Sequence, residues 1–241
     1  MRSGRVFYEG RVVEVRGGDG GGFTGPGGEP VEPSRAAFLP PCLPTKIVCV
    51  GRNYAEHARE LGNATPDAPL LFLKAPSALL GHGGVIRLPE DSSQVEYEGE
   101  IGLVIGRTCH RLAPGEDPMA YVAGVTPLND VTARDLQRRD VQFARAKSFD
   151  TFCPVGPWIV PAGDWRTLEV RTAINGRTVQ RGRASDMTFL LPDLVRYIAR
   201  AMTLYAGDLI ATGTPAGVGR LAPGDRVAVE VAGVRLENTV A

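Results

Sequence analysis

Apolar and polar positions in this chain alternate with a period of two in most patterned segments and with a helical period in only three. Residues 6–8 and 11–15 flank Glu9-Gly10 and predict a short hairpin. Residues 17–33 are dominated by glycine, with few side chains to pack, and predict a flexible loop; Pro40, Pro41 and Pro44 then mark a linker. Residues 46–50 are the apolar run of a buried strand, and Asn53 opens a helical segment that ends before Gly62. On that segment Tyr54, His57, Ala58 and Leu61 share a stripe, with Glu60 one position off it. Strands are expected over residues 70–73 and 85–88. Residues 95–105 read as one strand with Glu96, Glu98 and Glu100 on one face and Tyr97, Ile101, Leu103 and Ile105 on the other. An apolar segment over 121–128 runs into Asn129-Asp130, and residues 132–146 read as helical and polar. A strand over 154–160 follows, then a hairpin turning at Asn175-Gly176 between residues 170–174 and 177–180. Residues 192–202 predict a helix with Leu194, Val195, Ile198 and Ala201 on one side, and strands over 209–212, 226–231 and 234–239 close the chain.

Many short strands with few helices, lacking regular strand–helix alternation, define a predominantly β protein with some α rather than a doubly wound sheet. The linker places a boundary between a small N-terminal β appendage over residues 1–44 and a main domain over 45–241. A chain of 241 residues is long enough for that arrangement to bury a real core. With 27 basic and 27 acidic residues the formal charge is zero, which argues against nucleic acid or an anionic membrane surface as the main partner. Met1-Arg2-Ser3-Gly4-Arg5 has no apolar signal core, and no run of about eighteen apolar residues occurs, so a soluble cytoplasmic protein is expected. Cys42, Cys49, Cys109 and Cys153 show no C-x-x-C pairing and sit among apolar neighbours, the pattern of reduced, buried thiols.

The chemistry gathers around the glutamate strand. Residues two apart on a strand lie roughly 6.6 Å apart on one face, so Glu98 and Glu100 can lean toward one point. With Asp130 they compose an all-oxygen set of the kind Mg²⁺, Mn²⁺ or Ca²⁺ takes. A half-exposed strand with a solvated acidic face gives the same alternation. His57 and Glu60, one helical turn apart, can form an oriented imidazole or stand as ordinary residues of an amphipathic helix. Lys147 taken alone reads as a surface lysine. Residues 213–219, Gly-Thr-Pro-Ala-Gly-Val-Gly, lack the spacing and closing Lys-Ser or Lys-Thr of a nucleotide loop. They fit either a turn whose backbone N–H groups and Thr214 hydroxyl face an anion or a purely structural turn.

A series of sequence blocks runs in order across residues 46–240. They are Val50-Gly51-Arg52-Asn53-Tyr54 with His57 and Glu60, then Tyr97 to Gly106, which contains Glu98-Gly99-Glu100. Asn129-Asp130-Val131-Thr132-Ala133-Arg134-Asp135 follows with Gln137, then Ala146-Lys147-Ser148-Phe149-Asp150, and last Thr212 to Gly219. Together these blocks resemble the fumarylacetoacetate hydrolase family. The resemblance implies a mixed, rolled β-sheet domain with metal and substrate at its open end, and a homodimer. It implies Glu98, Glu100 and Asp130 as ligands of Mg²⁺ or Mn²⁺, with Ca²⁺ a further candidate. His57 and Glu60, on a mobile lid, would be the water-activating base and its orienting carboxylate, and Lys147 an inward-facing ammonium toward substrate. Arg52, Asn53, Gln137, Gly213 and Thr214 are the candidate substrate-binding residues, and Lys74 a weaker pocket candidate. The implied activity is on 2-oxo or 2,4-dioxo acids and diacids through a metal-bound enolate: hydrolysis of an acylpyruvate, isomerisation of 2-hydroxyhepta-2,4-diene-1,7-dioate, or decarboxylation of an oxaloacetate-type acid. The reading from a different class is a non-catalytic β protein with a structural Ca²⁺.

Overall fold

The structure, a computed structural model, describes residues 1–17 and 22–241. The period-two pattern becomes several open sheets. The central sheet runs in the order Val122–Asn129, Gly99–Ile105, Leu209–Ala211, Ile47–Gly51, Leu70–Lys74, antiparallel except where Leu209–Ala211 lies parallel to Ile47–Gly51. Its strands read as continuous apolar runs because both faces are covered. Val48, Val50, Ile101, Leu103 and Ile105 pack to one side with Leu191, Leu194, Val195 and Ile198. Ile47, Cys49, Val104, Leu209 and Ala211 pack to the other with Leu136, Ala146 and Phe152.

A second five-stranded sheet holds Arg177–Arg183, Glu169–Ile174, Arg226–Val231, Val234–Val240 and Val85–Ile86 in that order. Its first turn is the expected Asn175-Gly176 hairpin, with φ of 50° and 83° supplying the positive dihedrals a two-residue turn demands. The described residues hold four α-helices: α1 Ala55–Glu60, α2 Arg134–Arg139, α3 Ala144–Lys147 and α4 Leu191–Ala201. Helix α4 begins with Pro192 in its first turn and seals one face of the central sheet, as its apolar stripe predicts.

Three expectations change. Residues 95–105 are two strands, Val95–Tyr97 and Gly99–Ile105, in different sheets, with Glu98 at the break. Val95–Tyr97 pairs instead with Thr132–Ala133 and Gly219–Arg220. Tyr97 accordingly joins the opposite core from Ile101 and Leu103. The segment over 154–160 is likewise divided, into Cys153–Pro154 and Trp158–Ile159, with Pro157, which has no N–H to give a ladder, between them.

The glycine-rich stretch over residues 17–33 is the third. Gly17 ends the Arg11–Gly17 strand, while Phe23–Thr24 and Pro30–Val31 pair as a small hairpin with Phe23 and Val31 buried; residues 18–21 lie outside the described residues. Phe23 and Phe38 pack on Trp158 at ring-centroid distances of 4.9 and 5.3 Å. Trp158–Ile159 and Ala37–Leu39 both pair with Arg2–Tyr8, so the N-terminal sheet borrows a strand and an aromatic anchor from later in the chain. All four cysteines are free and buried, and burial pushes the Cys42 and Cys153 thiols up to about 12.

Asp208 ties the linker to the central sheet. Its carboxylate is fully buried and accepts from Thr45 N (2.9 Å), Thr45 Oγ1 (2.7 Å), Lys46 N (3.2 Å) and Tyr205 N (2.8 Å), and it pairs with Lys46 Nζ. Burial pushes this carboxyl up, but the hydrogen bonds from Lys46, Tyr205 and Thr45 outweigh it and hold it below the usual 3.8. A depressed carboxyl stabilises the fold above its unfolded pKa, and that contribution is lost as pH falls through the folded value. Asp208→Ala is therefore expected to cost about 3 kcal/mol near neutral pH. In urea titrations the gap from wild type should narrow below pH about 4.

Candidate active site

The site forms where two sheets part. Glu98 occupies the break, its N–H donating to Asn129 Oδ1 (2.9 Å) and its carbonyl accepting from Asp130 N (2.8 Å). Glu100 stands on the adjoining strand opposite Leu128, and Asp130 lies just beyond the end of the paired strand. Antiparallel pairing thus carries Asp130 to the two glutamates. All three are buried, and each offers an oxygen within 4.8 Å of the others. The solvated-face alternative is overturned, because Gly99–Ile105 is buried throughout.

Buried carboxylates need partners. Arg134 Nε donates to Glu96 Oε2 (2.8 Å), and its Nη2 pairs with Glu98 Oε1. Lys147 Nζ bridges Glu98 Oε2 (2.7 Å) and Asp130 Oδ2 (2.6 Å), and Lys74 Nζ holds Asp130 Oδ1 (2.6 Å) and the Val131 carbonyl (3.1 Å). Burial pushes the Glu98 carboxyl up, but Lys147, then Arg134 and His57, outweigh it and hold it well below the usual carboxylate range. Glu100 goes the other way. Burial, with the negative charges of Asp130 and Glu98, drives its pKa well above normal, against a hydrogen bond from Gly213 N (2.7 Å) and the positive charge of Lys147. Four carboxylates thus meet three buried cations, and Glu100 is the one without an ion pair among the described residues. An all-oxygen, buried triad with surplus negative charge fits a hard divalent cation.

A cavity of about 290 Å³ opens onto the triad, and Arg52, His57, Gln137, Lys147 and Thr214 also line it, with an apolar wall of Leu61, Leu70, Phe72 and Phe143. His57 Nδ1 lies 3.3 Å from Glu60 Oε2, and Glu60 in turn accepts from Gly217 N at 3.0 and 3.2 Å. The segment carrying them is the formed helix α1. Lys147 points inward at 2% exposure, unlike a surface lysine.

Asn53 and Gly213 stand apart from the cavity lining. The Asn53 amide donates to the carbonyls of Phe189 (3.1 Å) and Thr212 (2.8 Å) and accepts from Phe189 N (2.8 Å), so its polar atoms are engaged within the fold and it does not cap α1. The Gly213 N–H is taken by Glu100, and the Thr214 hydroxyl donates to Gly99 O (2.9 Å) while accepting from Gln180 Nε2 (2.8 Å). Lys74 serves Asp130 from behind the cavity. Sequence reasoning missed Arg134 as the compensating cation and Gln180 as the brace between Gly99 and the 213–219 loop. Of the two other histidines, His110 is exposed, whereas His82 is half-buried and accepts from Glu237 N (3.1 Å).

A mixed β architecture with a buried acidic triad under a His–Glu pair and an inward lysine defines a class of small-molecule site built from carboxylates. A sequence model described as fumarylacetoacetate (FAA) hydrolase C-terminal matches residues 46–241, and the chain belongs to the fumarylacetoacetate hydrolase family. It is 43% identical over 198 residues to oxaloacetate tautomerase YisK of Bacillus subtilis, covering 77% of this chain and 65% of that protein. It is 42% identical over 196 residues to the mitochondrial oxaloacetate tautomerase FAHD1 of Arabidopsis thaliana, covering 79% and 87%. The crystal structure of 5-carboxymethyl-2-hydroxymuconate delta-isomerase from Mycobacterium smegmatis superposes with a TM-score of 0.92 at 41% identity, covering 100% of this chain and 98% of that one. No helix of the described residues is long and apolar enough to cross a membrane.

Removing the compensating cation tests the charge balance directly. Arg134→Met leaves Glu96 without a cation and Glu98 with Lys147 alone, and is expected to lower the unfolding free energy of the metal-free protein by about 3–5 kcal/mol. Adding Glu96→Gln should recover part of that loss in the same denaturation assay.

Proposed function

We propose that this chain is a divalent-metal-dependent enzyme that moves a proton beside the keto group of a small 2-oxo acid, as a keto–enol tautomerase or isomerase. The observation that carries the reading is a single cavity lined at once by Glu98, Glu100, Asp130, His57 and Lys147. Relatives named for oxaloacetate tautomerisation and a neighbour named for isomerisation of a hydroxymuconate support proton transfer as the reaction. Held by Glu98, Glu100 and Asp130, Mg²⁺ or Mn²⁺ would supply a Lewis acid for the carboxylate and keto oxygens of such a substrate.

The remaining work falls to the side chains. His57 takes the proton from the carbon beside the keto group; the C–H electron pair becomes the new C=C bond as the C=O π pair moves onto oxygen, and the His57 imidazolium then gives its proton to that oxygen. Glu60 engages Nδ1, which leaves Nε2 to exchange the proton, and its charge stabilises the imidazolium that forms. The Lys147 ammonium places fixed positive charge beside the developing oxyanion. Gln137 gives its carbonyl to Arg134 Nη1 (2.6 Å), and its amide N–H groups remain for the substrate.

Ultraviolet decay of enolic oxaloacetate, measured with Mg²⁺, with Mn²⁺ and with EDTA, tests this. Metal-dependent acceleration abolished by EDTA is expected, and metal at a hundredfold its Kd should stabilise the fold by about 2.7 kcal/mol. Glu100→Ala should lose both effects with an unchanged circular dichroism spectrum; undiminished activity in that variant would falsify the metal role. His57→Ala should keep the metal-induced stabilisation and lower kcat about 10²- to 10⁴-fold. Metal-dependent consumption of acetylpyruvate in place of tautomerisation would move the reading to C–C hydrolysis, with His57 activating water.

A further inference from the structure

We propose that Arg52 and Arg138 form an anion subsite in the same cavity, and that it receives the far carboxylate of a dicarboxylic 2-oxo acid. The inference rests on the 2-oxo acid reading above and adds which acids the site selects.

Charge balance is the first support. Lys74, Arg134 and Lys147 are each committed to one or more of Glu96, Glu98 and Asp130. Arg52 and Arg138 line the cavity as well, yet among the described residues neither forms an ion pair with a carboxylate, and the Arg138 guanidinium donates only to the neutral Gln94 Oε1 (3.1 Å). With a divalent ion bound, four ionised carboxylates, three buried cations and the ion sum to one positive charge, and the two arginines bring the surplus to three. One carboxylate at the reacting end of a substrate cannot neutralise it; a second carboxylate on a guanidinium fork comes closer and has the geometry arginine binds best.

Backbone conformation is the second support. Arg52 has φ of +58°, a region that costs any side chain with a Cβ free energy relative to glycine. Among the described residues six non-glycine residues have positive φ, and Arg52 alone of these lines this cavity; Glu9, Asn175 and Ala232 each precede a glycine in a tight turn. Its neighbours hold the strain in place: Gly51 is paired with Leu70, and Asn53 is locked to Phe189 and Thr212. Glycine would satisfy this backbone better. An arginine there gives the cavity a cation. Leu61, Leu70, Phe72 and Phe143 on the cavity wall provide an apolar surface for the carbon chain joining the two ends of the acid.

The test is titration calorimetry in Mg²⁺ with two acids of equal chain length, 2-oxoglutarate and 2-oxopentanoate, which differ only in the far carboxylate. Wild type is expected to favour the diacid about 10- to 100-fold, the worth of a charge-assisted hydrogen-bond pair. Arg52→Gly and Arg138→Met should each cut that preference several-fold, and the double variant should bring it close to unity while the monoacid Kd moves less than about threefold. Arg52→Gly should also melt no lower than wild type, whereas an arginine with a merely structural role would lower the melting temperature and weaken both acids alike. Equal affinity of the wild type for both acids, or a preference that survives in the double variant, overturns the subsite. Binding of neither acid by the wild type overturns the 2-oxo acid reading and the subsite with it.

Discussion

Negative charge buried at the joint between two sheets is the constraint on which the rest of this structure depends. Glu96, Glu98, Glu100 and Asp130 are each at most 6% exposed, and a carboxylate taken out of water costs several kcal/mol unless it is paired and hydrogen-bonded. The three compensating cations come from separate elements: Lys74 from the end of an edge strand, Arg134 from the start of α2, Lys147 from the end of α3. Each must reach its carboxylate, and this fixes α2, α3 and the Leu70–Lys74 strand against one corner of the central sheet. Glu100 is the charge for which the fold supplies no cation. A fold selected for stability alone would gain from an apolar residue there, so the third carboxylate is explained by what it can hold.

The loop after the Leu209–Ala211 strand transmits that arrangement. Read as sequence, its glycines and Thr214 suggested a cradle facing a ligand. In the structure its polar groups turn inward: Gly213 N–H to Glu100, Thr214 Oγ1 to Gly99 O, Gly217 N–H to Glu60. Gln180 braces it by accepting from Gly99 N (3.0 Å) and donating to Thr214 Oγ1 and the Pro215 carbonyl. Glu100 and the His57–Glu60 pair thereby hang on one seven-residue loop. Gly217 has φ of +100°, and a Cβ there would sit 2.2 Å from the Val179 carbonyl, so the position admits glycine alone without moving the loop.

What was legible in the sequence is what short-range rules decide. Helix α4, the Asn175-Gly176 hairpin and the buried strand before Gly51 each declare themselves within a dozen residues, and Glu98 and Glu100 are close enough in sequence to be seen as a pair. The rest was written in contacts too distant to see. Period two runs unbroken through Glu98, so the change of sheet there is invisible until Thr132–Ala133 and Gly219–Arg220 claim Val95–Tyr97. Arg134 sits in a charged helical stretch that reads as solvated, because its carboxylates lie 36 and 38 residues away. Asn53 obeys a local capping rule on paper and loses to Phe189 and Thr212. The glycine tract reads as unpackable only while Trp158 is out of view.

With His57 as the proposed base, size selection and proton transfer would be linked through helix α1. Leu61 on the apolar wall follows His57 by four residues, the interval that puts two side chains on one face of a helical turn. An acid too long for a cavity of about 290 Å³ presses on Leu61, and displacing Leu61 carries the proposed base with it. Glu60, between them, is held from outside by the Gly217 N–H, so a shift of α1 would strain the contact that keeps this carboxylate facing the imidazole. Because a displacement of about 1 Å at a reacting group is enough to cost 10²-fold in rate, an oversized acid would be bound and poorly turned over. Under these proposals, selection by length would act on kcat and selection by charge at Arg52 and Arg138 on binding.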